Sequence, residues 1–119
     1  MYIKDLKKCQ EIEAGDKTAL RELLHPDRSP VQIRYSLAFA TLKPKKSSLP
    51  HKLKSSEVYY ILQGEGRMHV EEDSQPVYEG NAIYIPSDSV QWIENTGEKN
   101  LDFLCIVDPA WKEEDEEVI

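Results

Sequence analysis

Long apolar runs are missing from this 119-residue chain, and none approaches the roughly 18 residues that a membrane-spanning helix requires. The N-terminus also lacks the apolar stretch of a secretory signal. Cysteine is scarce: Cys9 and Cys105 are the only two, too isolated to suggest a thiol mechanism. Reduced thiols and no export signal predict a soluble, cytoplasmic protein. Positive charge is short as well, with 15 Lys and Arg against 22 Asp and Glu and a net charge of −7. Only Lys43, Lys45 and Lys46 cluster, so the cationic face that nucleic acid or an anionic membrane needs is not there. No Ser–His–Asp elbow or CxxC motif occurs. Gly64-Glu65-Gly66 is followed by neither a helix nor a phosphate-binding lysine, which excludes a nucleotide loop. Convincing helical periodicity is absent, and the length suits one domain.

What the chain does have is short strands and turn signals. From Val31 to Leu42, Val31, Ile33, Tyr35, Leu37 and Phe39 share one parity, while Gln32, Arg34, Ser36 and the small Ala38 share the other. That alternation marks a strand with one buried face. Glu57 to Leu62 is rich in aromatic and β-branched residues, and Gln63-Gly64-Glu65-Gly66 turns it into a return strand from Arg67 to Glu71. Met68 and Val70 look inward there, leaving His69 exposed or structural. Further strands follow at Val77-Tyr78, Ala82 to Ile85, Val90 to Asn95 and Leu101 to Val107. His25 to Pro30 and Lys43 to Pro50 are loops set by their prolines. Lys17 to Leu24 fits a strand or a helix equally by spacing. Glu113 to Glu117 is an acidic run expected to be a solvated terminus or a frayed helical turn. The sum is an all-β sandwich or barrel.

Two stretches carry a family pattern. His51, Glu57 and Gly64 stand at the spacings of a His-x-His, Glu, Gly motif, with Leu53 at the second His. Gly80, Pro86 and Asn95 stand at the spacings of a Gly, Pro-x-Gly, His, Asn motif, with Asp88 at the second Gly and Gln91 at the His. The chain thus resembles the cupin superfamily, as a small single-domain member with degenerate metal-ligand positions. The resemblance implies a double-stranded β-helix, or jelly-roll barrel, with few or no helices. It also implies one domain over residues 1–119: barrel core at about 31–107, N-terminal arm at 1–16 and acidic tail at 109–119. It favours a strand for Lys17 to Leu24.

In cupins the His, His, Glu and His of these motifs hold one divalent metal inside the barrel. Carried over, His51 and Glu57 remain, with Gln91 as a neutral amide donor, so the metal set implied here is His51, Glu57 and Gln91. The ion implied is Zn, Fe, Mn or Ni. Such ions normally take three or four imidazole, thiolate or carboxylate donors, so the implied cage is weak and a metal is less expected than its absence. Glu57 and His51 are the candidate catalytic pair, because a buried carboxyl needs a partner. Tyr35, Tyr59, Tyr84 and Trp92 are candidate pocket-lining residues, with Tyr59 on the parity of Glu57. The implied function is binding of a small polar molecule in the barrel. The alternative is a metal-dependent isomerase or dioxygenase acting on a small sugar or organic acid. A small barrel has sheet edges to protect, and Tyr2 and Ile3 ahead of it suit strand exchange, so a homodimer is expected.

Overall fold

The computed structural model describes residues 1–119. Eleven strands build two antiparallel sheets. One sheet has the order β1 (Glu11–Glu13), β2 (Ala19–Leu24), β3 (Ser36–Leu42), β10 (Leu101–Asp108), β5 (Ser56–Gln63) and β8 (Ala82–Ile85). The other has the order β11 (Glu116–Val118), β4 (His51–Leu53), β9 (Gln91–Asn95), β6 (Glu65–Val70) and β7 (Asp73–Tyr78). From β3 onward every connection crosses between the sheets except the β6–β7 hairpin, which gives the two-sheet jelly roll. Helix is confined to two 3-10 turns, Leu6–Lys8 and Glu113–Asp115, and no helix is long and apolar enough to cross a membrane. The expected all-β barrel is therefore the observed one.

Strand alternation explains the core. Tyr59 and Ile61 of β5, Ile93 of β9, and Leu101, Phe103 and Cys105 of β10 point inward and are buried together with Met68, Val77 and Ile85. The β5–β6 turn depends on Gly64, whose φ is +90°. A Cβ there would also lie 2.6 Å from the Asn100 carbonyl oxygen. Asp88, where the cupin pattern has glycine, adopts φ +58°, a left-handed conformation that aspartate tolerates. Asn95 is buried and donates to the carbonyls of Leu42 and Lys99 while accepting from the Gly97 amide, which locks the turn before β10.

Three features differ from the sequence reading. Regular structure begins later than Val31, at Ser36, and the apolar parity of β3 faces out: Leu37 and Phe39 lie on the outer surface, while Ser36, Ala38 and Ala40 face the interior. The interior there is a cavity, so the inward parity carries small side chains and the larger ones go outside. The sheets extend beyond residues 31–107, since β1 and β2 continue the first sheet and β11 pairs with β4. The acidic tail is thus tied to the barrel, with Glu117 opposite Lys52 and Val118 opposite His51.

Candidate functional site

At one end of the barrel the inward positions turn polar. β4 carries His51 and Leu53 inward, and pairs with β9 through His51 opposite Gln91. β5, in the facing sheet, carries Glu57 and Tyr59 inward. All four of His51, Glu57, Tyr59 and Gln91 are buried. The Tyr59 hydroxyl donates to Gln91 Oε1 at 3.0 Å, and Gln91 Nε2 donates to Glu57 Oε1 at 2.6 Å, so this chain of bonds ties the two sheets together. Inverting the amide would set its oxygen against the Glu57 carboxylate, so the network fixes its orientation. Tyr59 also packs on Phe103 with ring centroids 4.7 Å apart.

His51 is positioned from two other directions. Its Nδ1–H donates to the Leu49 carbonyl at 2.8 Å, which leaves Nε2 facing Asp16 Oδ2 at 3.6 Å. Asp16 is itself fixed, because its Oδ1 accepts from the Thr18 amide and hydroxyl. The tail supplies a third wall: the Trp111 indole N–H donates to Glu116 Oε2 at 2.8 Å. His25, buried in its loop, contacts the Trp111 carbonyl through Nε2 at 2.8 Å and so anchors the same segment.

These side chains enclose a cavity of about 80 Å³, with Asp16, His51, Leu53, Glu57, Tyr59, Cys105, Trp111 and Glu116 among its walls. A groove of about 640 Å³ adjoins the cavity and shares Ala14, Leu20, Glu22, Trp111 and Glu116 with its wall. Burial pushes the Glu57 carboxyl up to about 7, with the charges of Asp16 and Glu116 adding to the rise and the Gln91 hydrogen bond and His51 opposing it. Burial likewise raises the Tyr59 hydroxyl and the Cys105 thiol well above their ordinary ranges, with Glu57 contributing, so both stay protonated near neutrality.

His51, Glu57, Gln91 and Tyr59 are therefore brought together, and three expected pocket residues are not. Tyr84 shares the outward parity of Ala82 and is 66% exposed, and Tyr35 lies on the outward parity before β3 at 41%. Trp92 follows the inward Gln91, so it faces outside, where it stacks on His69 at 4.3 Å. His69 in turn pairs with Glu94. Asp16, Trp111, Cys105 and Glu116 were missed as wall residues. Asp16 follows Gly15 at a turn, and only its short spacing to Thr18 signalled a fixed side chain. Nothing in the acidic run distinguished Glu116 from its neighbours.

The residues present do not fit the cupin metal. Leu53, buried, stands where a second imidazole is needed, and the Gln91 oxygen is engaged by Tyr59. No three His, Cys, Asp or Glu side chains are arranged to hold an ion.

Comparison with known proteins agrees with the fold and the motif spacing. A family model described as the cupin domain matches residues 38–107. An uncharacterized protein of Methanocaldococcus jannaschii is 38% identical over 105 residues, spanning 87% of this chain and 83% of that one. An oxalate-binding protein of Thermotoga maritima is 39% identical over 51 residues, which is 43% of this chain and 42% of that one. The crystal structure of a predicted oxalate decarboxylase from the same organism superposes with a TM-score of 0.79 at 25% identity, covering 92% of this chain and 99% of that one. With two motifs in register inside a two-sheet barrel, and a family model matching more than half its length, the chain belongs to the cupin family.

Proposed function

We propose that the barrel binds a small polar molecule in the cavity walled by His51, Glu57 and Tyr59, at a site whose cupin metal positions have degenerated. One observation carries this reading. Glu57 and His51 are 6% and 4% exposed and line the cavity; Glu57 Oε2 has no hydrogen-bond partner in the protein, and His51 Nε2 has only Asp16 Oδ2, at 3.6 Å. Neither atom is sealed away from the cavity space, so a ligand or water there can reach both and complete their hydrogen bonding. Relatives named for oxalate support the class, a small polar ligand. A metal-dependent isomerase or dioxygenase would need donors that Leu53 and the engaged Gln91 do not offer. Metal-free acid–base chemistry is favoured by one feature, the Glu57 carboxyl near 7, where a side chain both gives and takes protons at neutral pH. NMR titration with small polar compounds tests the binding reading. Saturable shifts at Tyr59 and Gln91, abolished in Glu57→Ala, are expected. Binding that survives Glu57→Ala and shifts only surface residues would refute it.

We also propose a homodimer, joined through the outer face of the six-stranded sheet. Two rows of apolar neighbours cross four strands there: Tyr84, Val58, Ile106 and Leu37, then Ala82, Tyr60, Leu104 and Phe39. Soluble monomers rarely leave so continuous an apolar face uncovered, and a second copy covers it with a self-complementary surface. Tyr2 and Ile3 are exposed and lie outside both sheets. Light scattering should give twice the chain mass, falling to one in Tyr60→Glu/Ile106→Glu. A monomer in the unmodified chain defeats this proposal. Cys9 and Cys105 are free, which suits a reducing, cytoplasmic compartment.

A further inference from the structure

We propose that the cavity selects a small organic ammonium ion and rejects carboxylates, including the oxalate for which relatives are named. This rests on the reading that the cavity binds a ligand at all. Its wall carries the carboxylates of Asp16, Glu22, Glu57 and Glu116, and no lysine or arginine. Glu22 is neutralised by Arg28, whose guanidinium meets both of its oxygens at 2.7 Å.

The other three share one arrangement. In each, one oxygen is held by a protein donor: Asp16 Oδ1 by Thr18, Glu57 Oε1 by Gln91 and Glu116 Oε2 by Trp111. The second oxygen of each, Asp16 Oδ2, Glu57 Oε2 and Glu116 Oε1, has no hydrogen-bond donor in the protein. Asp16 and Glu57 are 7% and 6% exposed, so these free oxygens are not simply hydrated surface groups. The only basic group in the wall, His51, has Nδ1 committed to Leu49 and Nε2 turned toward Asp16.

An anion placed there meets the carboxylates of Asp16 and Glu116, and Glu57 when ionised, with no lysine or arginine in the wall and the His51 ring already turned to Asp16, whereas an ammonium ion brings N–H donors to oxygens that lack them. A metal ion is the other cation to consider. The carboxylates line one cavity without converging as a coordination group, which suits a polyatomic ion with spread donors. The cavity, about 80 Å³, has room for roughly two or three water volumes, so one or two carbons beside the ammonium nitrogen fill it. The Trp111 and Tyr59 rings in the wall add apolar surface of the kind that accepts a cation.

The test is an NMR titration of the full chain at fixed ionic strength and neutral pH, with ethylammonium, ethanol, acetate, oxalate and Ca²⁺ as separate probes. Ethylammonium should shift the Trp111 indole and Gln91 amide signals saturably, at least about tenfold more tightly than ethanol. Acetate and oxalate should leave them unmoved. Glu116→Gln, which keeps an oxygen for Trp111 but removes the charge, should weaken ethylammonium about tenfold. Asp16→Asn is the second variant should that one fold poorly. Oxalate or ethanol binding in the cavity as tightly as ethylammonium overturns the cation assignment while the small-molecule reading stands. Calcium binding there more tightly overturns it in favour of a metal. No response to any probe overturns both the assignment and the reading beneath it.

Discussion

The two halves of the barrel interior are lined by the same strands and hold opposite environments. In β5, Ile61 is buried in a dry apolar cluster, while Glu57, two inward positions earlier, opens on the cavity. In β9, Ile93 belongs to the cluster and Gln91 to the polar network. In β10, Leu101 lies in the cluster away from the cavity, Phe103 and Cys105 belong to the cluster and also line the cavity, and Val107 lies beyond them on the cavity side. The difference lies in what closes each end. The dry half is sealed by strands of both sheets meeting side chain to side chain. The polar half is closed by the loop bearing Asp16 and the tail bearing Trp111 and Glu116, which leave space between them. Period-two alternation says which residues point inward, and the closing segments decide whether inward means packed or wet.

The sharpest way to break this contrast is to cut into the dry half. Ile61→Ala, at a position buried in the cluster and absent from the cavity wall, should cost about 4 kcal/mol in a urea unfolding series, because its neighbours cannot collapse into the space. A cost under about 1 kcal/mol would mean the half is loosely packed.

Next in size is Glu57→Gln in the polar half. The Glu57 carboxyl, raised from 4.5 to about 7, holds its proton more tightly in the folded chain than in the unfolded one. The stability it lends is complete below 4.5 and is lost as pH rises through 7, a fall of about 3 kcal/mol. The glutamine variant should flatten that slope in unfolding measurements between pH 4.5 and 8, and be the more stable protein at pH 8. An unchanged slope would assign the pH dependence elsewhere.

Smallest is Trp111→Phe at the closing tail, which removes one hydrogen bond to Glu116 at a cost of about 1 kcal/mol. Its effect should concentrate locally, as faster hydrogen exchange at the Lys54 amide, which donates to Asp115, with the dry half unchanged. Acceleration throughout the barrel would show that the two halves do not behave separately.

Much of the fold was legible because barrel strands announce themselves by parity and by the turn residues between them. The spacing of His51, Glu57, Gly64, Gly80, Pro86 and Asn95 placed the polar cluster before any coordinates. What was hidden depends on contacts far apart in sequence. β3 carries its large side chains outside and its small ones toward the cavity, and alternation alone does not say which face a partner covers. Tyr84 and Trp92 sit one position away from inward residues, where a one-residue change of parity exchanges core for surface. Glu116 looked like one more solvated acid because its indole partner and its pairing with Leu53 are set by chain return.

Glu57 is the centre of the site, buried, with one oxygen held by Gln91 and the other open to the cavity. Carbon-13 detection of its side-chain carboxyl during a pH titration reads that directly. A midpoint near 7 is expected. A midpoint at the ordinary 4.5 would mean that water reaches the carboxylate freely, and the enclosed site would not exist.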